Sequence, residues 1–143
     1  MKEEFLQILN RFKLDFYRNM NSDGEENGLT VSESFCLEVI NGLKEPTVRD
    51  VALFMKISQP NAAYKISNLE RKGFITKEQS KEDKRVYYLR ITDQYDDFKK
   101  SRNKNISKVL DILEEKIDDS EKAKIEKFLV EFYDSLPTPE ELI

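Results

Sequence analysis

The sequence has 143 residues, and its 24 lysine and arginine side chains stand against 28 aspartate and glutamate side chains, for a net charge of −4. This length suits one domain, and 38% hydrophobic with 36% charged residues is typical of a folded chain with a solvated surface rather than a disordered or membrane-embedded one. The sequence has no histidine and one cysteine, Cys36, so imidazole catalysis and the usual Cys/His zinc sites are excluded, and we expect no catalytic residue, metal or cofactor.

The N-terminus and the thiol count indicate the compartment. No stretch approaches the roughly 18 apolar residues that span a bilayer, and MKEEFLQILNRF has acids where a signal peptide needs a basic start. A single cysteine cannot form an internal disulfide, which suits a reducing environment. We therefore expect a cytoplasmic protein without a membrane partner. Within it we expect a buried, inert Cys36 rather than a redox sensor, because no second cysteine can resolve an oxidised thiol.

The chain opens with a predicted amphipathic helix. Phe5, Leu9, Phe12 and Phe16 recur near the 3.6-residue period of an α-helix. The apolar side of this helix is wider than a monomer with one core face requires. The cluster NSDGEENG, residues 21–28, is rich in helix-breaking residues and is expected to end the helix.

Capping signals predict three further helices. Thr30, followed three residues later by a glutamate, has the spacing of a capping box and opens a helix that stops near Gly42. Thr47 opens a short helix, and Ser58 opens a third that runs to Lys72 and closes at the next glycine. Two helices this close in sequence, the second beginning with polar side chains, match a helix-turn-helix.

Two short runs with strand-forming composition follow. FITKEQ and VYYLRIT are rich in β-branched and aromatic residues, and the polar segment SKEDKR separates them. Tyr87, Leu89 and Ile91 alternate onto one face of the second run. We therefore predict a hairpin, or wing, with this one face packed.

Two helices are predicted to complete the chain. From Asp93, apolar residues at spacings of three and four predict a long helix. Asp118 to Ser120 interrupt the pattern, and Ser120 is the expected N-cap of a final helix that Pro137 terminates. The fold class is mostly α with a small antiparallel β-hairpin: a winged helix-turn-helix between terminal amphipathic helices, in a single domain of residues 1–143.

Positive charge is concentrated in the predicted helix-turn-helix and wing. Residues 56–90 hold nine basic and four acidic side chains, a net charge of +5 within a chain of net charge −4. Salt screens charges beyond roughly 10 Å, so a local basic face on an acidic chain suits nucleic-acid binding. A helix in the major groove and a hairpin tip at a phosphate or the minor groove would use this face. The alternative is a basic face that meets an acidic protein partner.

Three segments resemble one known family. SQPNA at residues 58–62 begins a helix, LERKGFITK at residues 69–77 leads into a strand, and DKR at residues 83–85 precedes LRIT at residues 89–92. This order is similar to that of the MarR family of bacterial transcription regulators, in which an LExKGLVxR segment precedes a wing whose tip reads D-x-R. The resemblance implies a homodimeric repressor that binds an inverted repeat in double-stranded DNA, and no enzyme.

The same resemblance implies roles for individual side chains. Arg85 would enter the minor groove, and Asp83 would hold the wing tip in shape by pairing with a basic side chain such as Lys77 or Arg85. The family often has threonine and then arginine where Ala63 and Tyr64 stand here, so its operator sequence is not carried over. The predicted DNA-contacting residues are Thr47, Ser58, Gln59, Asn61, Tyr64, Lys65, Asp83, Lys84 and Arg85.

In the family, the terminal helices of two subunits interlock. The resemblance therefore makes residues 1–29 and 93–143 dimerisation helices and residues 30–92 the DNA-binding lobe. The predicted dimer contacts are Phe5, Leu9, Phe128, Leu129 and Phe132, for which packing inside a monomer is the alternative. Family members often release DNA when a small, frequently aromatic or anionic effector enters the cleft between the two parts. Residues that could line this cleft are Phe12, Phe16, Tyr17 and Phe35, although core packing is the use we favour for each.

Overall fold

The computed structural model describes residues 1–20 and 28–143, so most of the predicted breaker cluster lies outside the described residues. Six α-helices, one antiparallel hairpin and a short C-terminal 3₁₀ helix follow one another in these ranges. In chain order they are α1 (Lys2–Met20), α2 (Val31–Gly42), α3 (Val48–Met55), α4 (Gln59–Arg71), β1 (Ile75–Gln79), β2 (Tyr87–Ile91), α5 (Gln94–Glu114), α6 (Asp119–Asp134) and the 3₁₀ helix (Pro139–Leu142).

The helix starts predicted for α2, α3 and α4 are confirmed by their caps. Thr30 Oγ1 accepts the Glu33 N–H at 3.2 Å, and the Glu33 carboxylate accepts the Thr30 N–H at 3.0 Å. Thr47 and Asp50 form the same reciprocal pair at the start of α3. Each cap satisfies backbone N–H groups that the first turn of a helix leaves without a partner.

The core is formed by the three central helices together with β2 and the start of α5. Leu37, Val51 and Ile66 are fully buried, one from each central helix, and Leu89 of β2 and Phe98 of α5 close over them. Burying one such side chain contributes about 1.5–3 kcal/mol. Every buried apolar residue of the described chain lies between Leu29 and Phe98, so the winged helix-turn-helix and the start of α5 together form the core.

The hairpin has the predicted strands but not the predicted packing. β1 and β2 pair antiparallel, with Ile75 opposite Ile91. Of the three side chains expected on the packed face, Leu89 is buried while Tyr87 and Ile91 are exposed. Leu89 packs into the core, and its N–H donates to the Pro46 carbonyl at 2.8 Å, so the connection between α2 and α3 lies beside β2 at this residue. The prediction of one packed side was therefore wrong at two of three positions.

The start of α6 also differs from the prediction. Asp118, not Ser120, is the N-cap: its carboxylate accepts the Glu121 N–H at 2.8 Å, and the Glu121 carboxylate accepts the Asp118 N–H at 3.1 Å. Asp118 has the extended backbone that an N-cap needs, and a glutamate three residues later completes the box. Ser120 consequently lies inside the first turn. The helix ends at Asp134, ahead of Pro137 as expected.

α1, α6 and most of α5 lie beside the core, to which α5 contributes Tyr95 and Phe98 from its first turns. The prediction that Phe12, Phe16, Tyr17 and Phe35 would serve core packing is wrong, because all four are exposed and residues from Leu29 to Phe98 already fill the interior. α1 contacts α6 where the rings of Phe5 and Phe132 approach to 5.0 Å between centroids. None of the helices in the described ranges is long and apolar enough to cross a membrane.

Candidate nucleic-acid interface

Helix α4 presents a polar face to solvent. Its opposite face packs into the core through Ala62, Ile66 and Leu69, at spacings of four and three. Gln59 and Asn61 are exposed in the first turn, followed by Tyr64, which is 67% exposed, and by the half-buried Lys65. An aromatic ring this exposed in mid-helix is available for a contact outside the chain. The structure thus places these four predicted contacts on one end of one helix.

Ser58 and Thr47, the two hydroxyl side chains predicted to contact DNA, both cap helices. Ser58 Oγ accepts the Asn61 N–H at 3.3 Å, and Thr47 Oγ1 donates to the Asp50 carboxylate at 2.8 Å. Ser58 is exposed and caps the helix through its oxygen as acceptor, so the cap does not use its O–H proton. Thr47 is half-buried and its proton is already used. The structure therefore places Ser58 with the exposed end of α4 and leaves Thr47 chiefly as a cap.

Asp83 and Arg85 shape the wing tip together. Arg85 Nε donates to Asp83 Oδ1 at 3.1 Å, and Arg85 Nη2 donates to Oδ2 at 3.1 Å. The Arg85 backbone N–H donates to the same Oδ1 at 3.0 Å, which makes the turn an Asx turn. These bonds, that of the side chain first, hold the pKa of Asp83 below its usual value. Of the two partners predicted for Asp83, the structure selects Arg85, since Lys77 pairs with Glu70 at 2.8 Å.

Two further residues build the tip and were not predicted. Gln79 Nε2 donates to the Lys84 carbonyl at 2.6 Å and to the Tyr87 hydroxyl at 3.1 Å, across the open end of the hairpin. Ser80 Oγ accepts the N–H groups of Glu82 and Asp83 at 3.2 and 3.3 Å. A serine at the start of a polar turn is a known signal for such bonds and could have indicated Ser80. Gln79 has no comparable signal in the sequence.

The positive charge of residues 56–90 is partly neutralised inside the fold. Lys72 pairs with Glu33 at 2.8 Å, Lys77 pairs with Glu70, and Arg90 contacts two carboxylates. These three cations therefore contribute little outward field. The other exposed cations of residues 56–90 are Lys56, Arg71, Lys81, Lys84 and Arg85, of which Arg85 pairs with Asp83. The basic surface is thus smaller than the count of charges suggests, and three of these five cations lie at the wing tip.

The predicted effector residues are not assembled by ring contacts. Phe16 and Tyr17 contact each other on α1 with centroids 5.9 Å apart, and the ring contacts of the described residues join neither of them to Phe35. Phe35 instead lines a small cavity with Phe54 and Pro139. The grouping of Phe12, Phe16, Tyr17 and Phe35 in one cleft stays a prediction.

Cys36 is fully buried, as predicted. Burial raises the pKa of its thiol to about 12. Since the thiolate is the reactive form, this environment keeps the side chain unreactive near neutral pH.

Comparisons with known proteins agree with this geometry. The model of the MarR family matches residues 29–87, which run from the start of the core to the first residue of β2. The uncharacterized HTH-type transcriptional regulator YkoM of Bacillus subtilis (strain 168) is 29% identical over 76 residues, which are 53% of this chain and 49% of that protein. The chain thus spans about half the length of the curated relative it matches.

Solved structures share the fold over almost the whole chain. The transcriptional regulator Tm0710 of Thermotoga maritima has a TM-score of 0.64 at 16% identity, over 92% of this chain and 93% of that one. FabT of Streptococcus pneumoniae, solved in complex with DNA, has a TM-score of 0.55 at 21% identity, over 93% of this chain and 92% of that one.

The fold and the exposed helix and wing define a winged helix-turn-helix protein. The MarR family model matches residues 29–87 within this lobe, in agreement with the resemblance noted in the sequence, and the solved structures share the fold. The matched proteins are named as transcriptional regulators, which agrees with the expectation that this chain is not an enzyme.

Proposed function

We propose that this chain is a cytoplasmic, homodimeric transcriptional regulator that represses by binding an inverted repeat in double-stranded DNA. The observation that carries the proposal is the wing tip. Arg85 is 90% exposed there and is oriented by a forked pair with Asp83, on the same lobe as the polar face of α4. A long cation that is already oriented gains from the concentrated negative potential of a narrow minor groove.

The recognition helix supplies the base contacts in this proposal. Gln59 and Asn61 stand exposed in the first turn of α4, and their amides can form bidentate contacts with adenine in the major groove. Tyr64 and Lys65 follow on the next turn, where a base edge or a phosphate is in reach of a long side chain. We assign Ser58 and Lys84 to contacts with the DNA backbone. Thr47 contributes indirectly, by capping α3. FabT, which shares the fold, was solved in complex with DNA, and this supports the assignment.

In this proposal, the terminal helices form the interface with a second copy of the chain. α1, α5 and α6 carry a large exposed apolar surface, whereas monomeric proteins rarely leave large contiguous apolar patches uncovered. We assign residues 1–29 and 93–143 to dimerisation and residues 30–92 to DNA binding. The proposed contacts Leu9, Phe128, Leu129 and Phe132 are exposed, and Phe5 packs on Phe132. Two lobes held about one DNA turn apart would read both halves of an inverted repeat.

Regulation by a small aromatic or anionic effector completes the proposal. Such a molecule would enter between the terminal helices and the lobe, where Phe12, Phe16, Tyr17 and Phe35 expose aromatic surface. A ligand that binds better to the arrangement of lobes that does not fit DNA lowers DNA affinity by that difference in binding free energy.

The test is binding of labelled duplexes from the DNA upstream of the coding sequence, titrated across salt. We expect sub-micromolar binding to one segment. Arg85→Ala should weaken it about tenfold and reduce the dependence on log salt by about one, because one phosphate-neutralising cation is lost. Lys108→Ala, which removes an exposed cation from α5, is the matched control and should bind like the wild type. Equal weak binding of every duplex by all three proteins would overturn the proposal and favour a winged helix that binds proteins.

A further inference from the structure

Arg90 joins the wing to the rest of the lobe. It lies on β2, and its Nη2 donates to Glu45 Oε1 at 2.6 Å while its Nε donates to Glu78 Oε2 at 3.1 Å. Glu78 belongs to β1, whereas Glu45 belongs to the connection between α2 and α3, which is 45 residues away in sequence from Arg90. The guanidinium of Arg90 therefore links β2 both to β1 and to the connection between α2 and α3. Arginine suits this use because its planar fork presents donors in fixed directions.

The connection between α2 and α3 is built to receive the strand. Glu45 has a φ of 47°, an uncommon conformation for a residue with a side chain, and Pro46 follows it. The Pro46 carbonyl accepts the Leu89 N–H at 2.8 Å, next to the Arg90 bridge. Two neighbouring residues of β2 are thus tied to two neighbouring residues of the connection. These bonds meet the wing at its base, away from the Asp83 and Arg85 tip.

The bonds of Arg90 at the base of the wing affect the position of the tip, because a small rotation at the base becomes a large displacement at Arg85. The five residue steps from Arg90 to Arg85 would span at most about 17 Å if the chain were fully extended. A rotation of about 10° at the base would therefore move the tip by up to about 3 Å, which is a full hydrogen-bond length. A long side chain can absorb part of such a shift, but only by giving up its orientation.

We propose that Arg90 is a positioning residue, which holds the wing through Glu45 and Glu78 so that Arg85 and α4 reach their two grooves together. The inference rests on the proposed DNA binding and adds to it residues that need not touch DNA. It also gives Glu45 and Glu78 a favourable role in DNA binding, although a carboxylate repels the phosphates of DNA. Arg90 itself is only 37% exposed and is neutralised by both carboxylates, which suits a tie better than a phosphate contact.

Glu45→Gln separates positioning from simple electrostatics, because the two predict opposite signs. If charge alone matters, the removal of an acid near DNA tightens binding. If Glu45 positions the wing, the same change weakens binding, by about threefold for an exposed ion pair. Glu82→Gln is the matched control, since it removes an exposed acid from the wing tip and should bind equally or more tightly.

Arg90→Lys separates positioning from a phosphate contact. Lysine keeps the charge but loses the fork, so it cannot hold two carboxylates in the same geometry. We expect Arg90→Lys to weaken binding about threefold with an unchanged salt dependence. Affinity equal to that of the wild type would instead assign Arg90 to the DNA backbone and overturn the inference.

Hydrogen exchange of the DNA-free protein tests the tie without DNA. In Glu45→Gln and Arg90→Lys, we expect faster exchange for amides of β1 and β2 and unchanged exchange for α4, which also shows that the lobe is folded. Unchanged exchange in the hairpin, or tighter DNA binding by Glu45→Gln, would overturn the inference. If the wild type binds no duplex, the proposed function fails, and faster exchange in the hairpin would still establish the tie.

Discussion

The conformation of the wing tip depends chiefly on the carboxylate of Asp83. Asp83 accepts three bonds from Arg85, two from the guanidinium and one from the backbone, and Ser80 and Gln79 bond the same turn. Exposed ion pairs contribute little stability, so these bonds matter by fixing a conformation rather than by holding the fold. An ordered tip loses less conformational entropy when it enters a groove.

The pKa of Asp83 reports this order. Because Arg85 lowers that pKa, the stabilisation from the pair is complete above the usual aspartate pKa of about 3.9. It is lost as the pH falls through the lowered value of the folded protein. In Arg85→Ala the guanidinium bonds disappear while the backbone N–H remains, so the pKa of Asp83 should rise toward its usual value. A carboxyl NMR titration measures this change.

Lys84→Ala is the control for the titration, since it removes a neighbouring cation whose side chain is not bonded to Asp83. It should leave the pKa of Asp83 close to that of the wild type. An equal pKa in the wild type and in Arg85→Ala would contradict the forked pair.

At the scale of elements, the cap of α6 gives a clean contrast. Asp118→Ala removes the side-chain half of a capping box and should cost about 1 kcal/mol in the free energy of unfolding. Ser120→Ala changes an exposed residue inside the first turn and should stay within about 0.5 kcal/mol of the wild type. Urea unfolding followed by far-UV circular dichroism measures both. A larger cost for Ser120→Ala than for Asp118→Ala would mean that the helix begins later.

The elements that the sequence predicted well are those fixed by neighbouring residues. Thr30 and Thr47 each have their capping partner three residues away, so the helix starts are visible in the sequence. The prediction of Ser120 was wrong although the same spacing favours Asp118, because Asp118 is followed three residues later by Glu121 and Ser120 by an alanine. The D-x-R motif was also local, which explains why the pairing of Asp83 with Arg85 was one of the two predicted.

Contacts that depend on the folded chain were not predicted. The periodicity of β2 is correct, but which of Tyr87, Leu89 and Ile91 is buried depends on how the strand packs on the core of the folded lobe. The bridge from Arg90 to Glu45 has no sequence pattern for the same reason. Exposed aromatic residues such as Phe12 were expected in a core because hydrophobic periodicity shows that a face is apolar, not what covers it.

At the scale of the whole molecule, the proposed dimer depends on the exposed apolar faces of the terminal helices. We expect the wild type to sediment as a dimer at micromolar concentration. Leu129 is half-exposed on α6, and Leu129→Glu should weaken the dimer about a hundredfold or more, because an unpaired buried charge costs about 3–5 kcal/mol. Sedimentation velocity measures the change.

Lys124→Glu introduces the same side chain at an exposed, polar position of α6 and should remain dimeric. A wild type that sediments as a monomer at these concentrations would contradict the dimer directly. A monomeric Leu129→Glu protein should also lose affinity for the inverted repeat, because each lobe alone reads one half of it.

The position of the core along the chain bears on how the protein is made. Every buried apolar residue of the described chain has been synthesised once the ribosome has passed Phe98, before α6 is begun. Domains fold as units during synthesis, N-terminal parts first, so the lobe can close while the last helix is still being added. Folding of the lobe is then a first-order step within each nascent chain. In the proposed dimer, pairing of two chains would be a later, second-order step whose rate rises with protein concentration.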